Sequence, residues 1–148
     1  MGEQAQGRVI HRLAGVHPTL IDRLMRVLAE MERLGHPMMV TDGVRTLERQ
    51  QELYAQGRET PGKVVTDCDG VVKKSNHQVK ADGFGHAVDC AFIINGQPNW
   101  GDRLPWETYG ALCLNHGLKW GIKLANGTID RPHIELPLVS PQIRVEIV

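Results

Sequence analysis

Little in these 148 residues is in excess, and the gaps narrow the field. Lys and Arg number 17 against 17 Asp and Glu, so the formal net charge is zero. Coating nucleic acid or an anionic membrane would demand a basic surplus, so neither partner is expected. No apolar run reaches the roughly 18 to 20 residues that cross a bilayer, and stable membrane binding is not expected either. The opening stretch, MGEQAQGRVI, lacks the apolar segment of a signal peptide. Met-Gly is a myristoylation-like start, but Gln6 stands where that motif needs Ser or Thr. Cys68, Cys90 and Cys113 are odd in number and unpaired in spacing, which argues against a disulfide framework and for synthesis in a reducing cytoplasm. Internal repeats and low-complexity tracts are absent.

What is present suits one compact domain over 1–148, with 41% hydrophobic and 23% charged residues. The clearest helix runs from Pro18 to Leu34. Leu20, Leu24, Val27, Leu28, Met31 and Leu34 share a face, Pro18 suits the first helical position, and Gly35 suits the residue past the end. Pro37–Thr41 reads as a buried strand, Asp42-Gly43 as a turn, and Leu47–Gln56 as a second helix stopped by Gly57. Arg58 to Gly85 is long and irregular, which in a compact domain points to a functional segment. His86–Ile94 reads as a strand, Asn95-Gly96 as a hairpin turn, and Pro105 opens a third helix that Gly117 closes. Short strands are predicted between Leu118 and Val148, around Gly121, Asn126-Gly127 and Pro137. Interleaving without βαβ regularity predicts an α+β fold: a small, mostly antiparallel sheet with three main helices.

Seven histidines occur. His11, His17 and His36 fall near predicted element ends, and His116 sits where a helix's negative end would attract it. Carboxylates accompany the other three, in Ser75-Asn76-His77 to Gly85-His86-Ala87-Val88-Asp89 and in Asp130-Arg131-Pro132-His133-Ile134-Glu135. Two histidines and one carboxylate fill the protein shell of a catalytic zinc, leaving a position for water, and a further carboxylate can then take that water's proton. Asp130, three residues before His133, can do so if the backbone at Pro132 turns both side chains inward. Glu135 lies two residues past His133 on a predicted strand, so the pair share a side, where Glu135 can orient an imidazole. Cys90 should face the core, away from Asp89. Trp100, Trp106 and Trp120 read as packing residues, with a groove-lining role open to one of them.

These motifs resemble a family of zinc peptidases that groups D-alanyl-D-alanine carboxypeptidases and dipeptidases with phage L-alanyl-D-glutamate endolysins. The family pattern Ser-x-His-x-x-Gly-x-Ala-x-Asp, followed late by an acidic residue, two others and a histidine, is similar to Ser75-x-His77, Gly85-x-Ala87-x-Asp89 and Asp130-x-x-His133. Gly43-Val44-Arg45-Thr46, with Glu48, Gln50, Leu53, Tyr54 and Gln56-Gly57-Arg58, resembles the family's strand-turn-helix with its substrate-binding arginine, and Gly15-Val16-His17-Pro18 resembles its opening. The likeness spans about residues 13–137.

The resemblance implies Zn²⁺ held by His77, Asp89 and His133, Asp130 as general base, and Arg45 and Ser75 in substrate binding. A bidentate arginine could hold the free α-carboxylate of D-glutamate beside the L-alanyl bond, or the end of a D-Ala-D-Ala stem. A plain ion pair of Arg45 with Glu48 or Asp42 is the alternative. The pattern departs at one place: twelve positions separate His77 from Asp89, against seven in the family, an insertion of five within Gln78–Phe84. His77 is favoured as the ligand, with His86 and Asp82 as alternatives. The implied function is that of a phage or prophage endolysin acting on bacterial peptidoglycan, as a monomer, causing host cell lysis. Made in the cytoplasm without a signal, it would reach the periplasmic wall after a holin-type pore opens. The same chemistry serves a D,D-carboxypeptidase, and hedgehog-type signalling domains resemble the family without evident peptidase work.

Overall fold

The computed structural model describes residues 12–137. His11, the opening residues and the strand-forming stretch anticipated beyond Pro137 lie outside them. Three helices are described, α1 (Pro18–Arg33), α2 (Leu47–Ala55) and α3 (Trp106–Asn115). Five strands accompany them, β1 (Met38–Asp42), β2 (Ala87–Ile94), β3 (Gln97–Asn99), β4 (Lys119–Lys123) and β5 (Ile129–Glu135). The sheet is antiparallel in the order β1-β2-β5-β4, with β3 paired to β2. This is the predicted α+β architecture.

Helix α1 forms because Pro18 presets its first turn and its apolar residues recur at helical spacing. The His17 Nδ1 atom caps it by accepting the Thr19 N–H at 3.1 Å. Leu20, Leu24, Val27, Leu28 and Met31 are buried, whereas Leu34 falls at the C-cap and is exposed. Thr46 caps α2 by accepting the Arg49 N–H at 3.1 Å. Asn95 (φ 52°) and Gly96 (φ 76°) form the tight β2–β3 turn, both in the left-handed region that such hairpins need.

Helices α1 and α3 cover one face of the sheet. Strand β2 alternates across it: Val88, Cys90 and Phe92 enter the core with Val40, Ile134 and Trp106, so Asp89 points to the opposite face. Burial pushes the thiol of Cys90 well up and that of Cys113 up to about 12, which removes both as nucleophiles.

Gly110, within α3, lies under the Trp120 ring: a Cβ there would stand 2.2 Å from Trp120 Cε3. Helix propensity alone would make Gly110→Ala stabilising by about 1 kcal/mol. The contact reverses the sign, and we expect a net loss of roughly 1–3 kcal/mol through overpacking. A thermal melt followed by circular dichroism checks this; a raised Tm would contradict it.

Candidate metal centre

Sheet register builds the centre of the second face. Asp42 pairs with Asp89, and Asp89 pairs with His133, so one row crosses β1, β2 and β5. Val40 pairs with Cys90 in the core, yet Asp42, two residues on, pairs with Asp89 on the opposite face. A register shift between Val40 and Asp42 makes this possible, since a bulge changes which face the following residue takes. A second shift, between Trp120 and Ile122 opposite β5, accompanies the turn of backbone that lets both Asp130 and His133 line the same cleft.

His77 comes from the long irregular segment, which polar side chains hold in shape. Asp69 Oδ1 accepts the N–H groups of Val71, Val72 and Lys73 at 2.9–3.0 Å. Fully buried Gln50 donates to the Cys68 carbonyl (2.7 Å) and to Thr66 Oγ1 (3.2 Å). Gln78 accepts the Ser75 N–H and donates to the Gly70 carbonyl. Ser75 Oγ accepts the His77 N–H at 3.1 Å, and Asp67 ties the segment to the β4–β5 turn by accepting the Ala125 N–H at 2.8 Å. The cleft so formed has a volume of about 880 Å³.

At its base, one ligand atom from each of His77, Asp89 and His133 lies within 4.8 Å of the others. His77 Nδ1 is 2.9 Å from the Gly43 carbonyl, which can only accept, so that nitrogen carries the proton and Nε2 presents its lone pair. His133 Nε2 faces Glu135 Oε1 at 3.0 Å, which leaves Nδ1 as the acceptor. Those two lone pairs point at Asp89 Oδ1, at 3.3 and 3.5 Å, and this buried oxygen has no hydrogen-bond partner. Three acceptors facing one another need a cation or an added proton between them. Two imidazoles and a carboxylate are a donor set that fits Zn²⁺.

Supporting contacts come from residues that the sequence reading named within its motifs, several of them without a role. The Gly43 carbonyl orients His77, and Gly43 has no room for a Cβ, which would meet the Arg12 carbonyl oxygen. Asn76 donates to Glu135 Oε2 at 2.6 Å, holding the carboxylate that holds His133. Arg45 is 8% exposed: Nε and Nη2 donate to Asp42, Nη1 donates to Gln50 at 2.8 Å, and Nη2 lies 3.6 Å from Asp89. Both edges of its fork are thus engaged within the protein. Neither the diffuse polarity of Gln50 and Asn76 nor a glycine carbonyl leaves a periodic signal to read. His86 and Asp82 stand apart from the centre, paired with each other at 2.6 Å beside His17.

Electrostatics follow from this packing. Burial raises the Asp89 carboxyl, but the neighbouring imidazoles of His77 and His133 outweigh it and hold the group well below the carboxylate range. Burial, then the Asp89 charge, pushes Asp130 up to about 6. Burial lowers His133, yet the Asp89 and Glu135 carboxylates beside its two ring nitrogens carry it up to about 9 in the metal-free protein.

The last two shifts have opposite origins and one consequence. The His133 contribution to stability is complete below its ordinary 6.5 and is lost as pH rises through about 9. Asp130 favours the folded state only while protonated, so its contribution is lost as pH rises from 3.8 through about 6. We therefore expect the Tm of the metal-free protein to fall between pH 6.5 and 9. Asp130→Asn should raise that Tm at pH 7 by several degrees. A flat profile, or a less stable variant, would contradict the assignment.

No family model matches the chain. A curated relative, the peptidoglycan L-alanyl-D-glutamate endopeptidase CwlK of Bacillus subtilis (strain 168), is 25% identical over 123 residues, 82% of this chain and 73% of that protein. Among solved structures, the L-Ala D-Glu endopeptidase ChiX of Serratia marcescens superposes with a TM-score of 0.61 and 24% identity, over 88% of this chain and 86% of that one. A vancomycin-resistance D,D-pentapeptidase, VanY, in complex with Zn(II), has a TM-score of 0.57 and 18% identity over 89% and 77% of the two chains. Sequence relative, shared fold and ordered motifs together support the family that those motifs resemble, the zinc D-alanyl-D-alanine carboxypeptidases and L-alanyl-D-glutamate peptidases.

Proposed function

We propose that this chain is a zinc-dependent peptidoglycan peptidase that hydrolyses stem peptides between L-alanine and D-glutamate. One observation carries the reading: two oriented ring nitrogens and an unpartnered carboxylate oxygen converge at the base of a cleft that Asp130 also lines. The activity in the name of the 25% identical relative supports the choice of bond. A zinc ion held by His77, Asp89 and His133 would supply Lewis acidity, polarising the scissile carbonyl and acidifying a water. Asp130 takes the proton from that water and delivers it to the departing amine. A carboxyl raised to about 6 is a stronger base than an ordinary one and is still ionised at neutral pH. Gly43 and Glu135 hold the imidazoles in place, and Arg45 positions Asp89 and Asp42. The Ser75 Oγ already accepts a backbone N–H, which leaves its O–H to donate to substrate.

The biological setting belongs to the same proposal: a monomeric phage endolysin, made in the host cytoplasm and acting on the periplasmic wall after holin-type release. No helix among the described residues is long and apolar enough to cross a membrane. Lysis of outer-membrane-permeabilised cells by the purified protein would support this setting.

Mass spectrometry of digested peptidoglycan should reveal new N-terminal D-glutamate ends; released D-alanine would instead favour a D,D-carboxypeptidase. Chelation should abolish cleavage. Asp130→Ala should keep zinc and lose about 10²–10⁴-fold in rate. The acid limb of kcat/KM should fall at or below about pH 6, because a bound cation can only lower the Asp130 value. Zinc stoichiometry separates the ligand candidates: His77→Ala should lose the metal and His86→Ala should keep it. The reverse would overturn the centre.

A further inference from the structure

The cleft contains an unbalanced set of charges. Its arginines are all engaged within the protein: Arg12 donates to the Val40 carbonyl, Arg45 holds Asp42 and Gln50, and Arg49 pairs with Glu52 at 3.1 Å. Its carboxylates are occupied too. Asp42 is held by Arg45, Asp67 by Arg58 and the Ala125 N–H, and Asp89 and Asp130 belong to the metal centre. Three lysines remain. Lys73 and Lys74 come from the irregular segment immediately before Ser75, and Lys123 ends β4 beside Ile122, the partner of Asp130. All three are exposed and make no ion pair or side-chain hydrogen bond among the described residues.

Their setting is ordered. Lys73 closes the turn whose N–H groups Asp69 gathers, and Lys74 joins that turn to buried Ser75. Lys123 lies one residue from Leu124, whose N–H donates to the Thr128 carbonyl in the β4–β5 turn, and Asp67 ties that turn to the irregular segment. Unpaired ammonium groups that line one cleft from two separate elements attract an anion entering it.

We propose that Lys73, Lys74 and Lys123, rather than Arg45, receive a free carboxylate of the stem peptide beside the scissile bond and set the preference for unamidated stems. This inference rests on the peptidase reading above. An ammonium on a flexible stem can follow a carboxylate carried by a mobile peptide, whereas the Arg45 fork has no free edge to offer. The carboxylate has two possible sources, the α-carboxylate of D-glutamate and the carboxylate of the third stem residue.

The test uses synthetic stem peptides that are free or amidated at each of these two positions. Binding is measured by calorimetry with zinc-loaded protein carrying Asp130→Asn, and cleavage with the wild type. The free peptide should bind roughly tenfold more tightly than its amidated counterpart, a factor that shrinks at high ionic strength. Combining Lys73→Gln, Lys74→Gln and Lys123→Gln should bring the free-to-amidated ratio of Kd, and that of kcat/KM, close to one. The position whose amidation removes the preference identifies the source. Equal binding of free and amidated peptides by the parent, or a ratio that the triple variant leaves intact, overturns the inference. Cleavage with a flat ratio defeats the lysine assignment and spares the peptidase; a lysine-dependent binding ratio without cleavage does the opposite.

Discussion

Three hydrogen-bond acceptors facing one another in a buried space are the constraint on which this structure turns. Asp89 Oδ1 lies 3.3 and 3.5 Å from ring nitrogens of His77 and His133, whose protons are drawn to the far sides by the Gly43 carbonyl and Glu135. Left alone, such an arrangement costs several kcal/mol, on the order of the penalty for a buried unpaired charge. The metal-free protein meets it by protonating His133, which is why that imidazole is raised to about 9. A divalent cation meets it better, because it satisfies all three groups together and competes directly with the proton. The outer contacts therefore prepare the centre for a positive charge before any ion arrives.

Preparing it falls to the sheet. A row running Asp42, Asp89, His133 across three strands depends on one irregularity in β1, without which Asp42 would share a face with Val40 and enter the core. Helices α1 and α3 bury the opposite face, while α2 lends Gln50 to the cleft side, where it accepts from Arg45 and braces the irregular segment. The long segment adds His77 from outside the sheet, and its five-residue insertion relative to the family pattern is accommodated away from the metal centre. There Asp82 and His86 pair beside the start of α1, while Lys80 and Phe84 close the loop by a backbone hydrogen bond of 2.9 Å.

Arg45 illustrates how the fold fixes the partners of a residue type. A guanidinium one strand-turn away from a metal ligand reads naturally as a carboxylate receptor, and its planar fork is suited to that work. In the folded chain the fork donates to Asp42 and Gln50 and lies 3.6 Å from Asp89. Among the described residues, the cleft lysines Lys73, Lys74 and Lys123 make no ion pair.

The amino-acid sequence by itself determined the elements and their chemistry. Periodicity at helical spacing marked α1, Asn95-Gly96 marked the hairpin, and the Ser-x-His, Gly-x-Ala-x-Asp and Asp-x-x-His motifs named the residues that converge. These are local signals, written in backbone preference and in side chains close along the chain. Tertiary structure alone decided which of three spaced candidates, His77, His86 or Asp82, lies beside Asp89, how the bulge re-aims Asp42, and which protein groups consume the Arg45 fork. It also supplied Gly43, Gln50 and Asn76, whose roles consist of hydrogen bonds to partners distant in sequence. Convergence across strands and competition for a shared partner are properties of three-dimensional register, and a linear spacing carries no record of either.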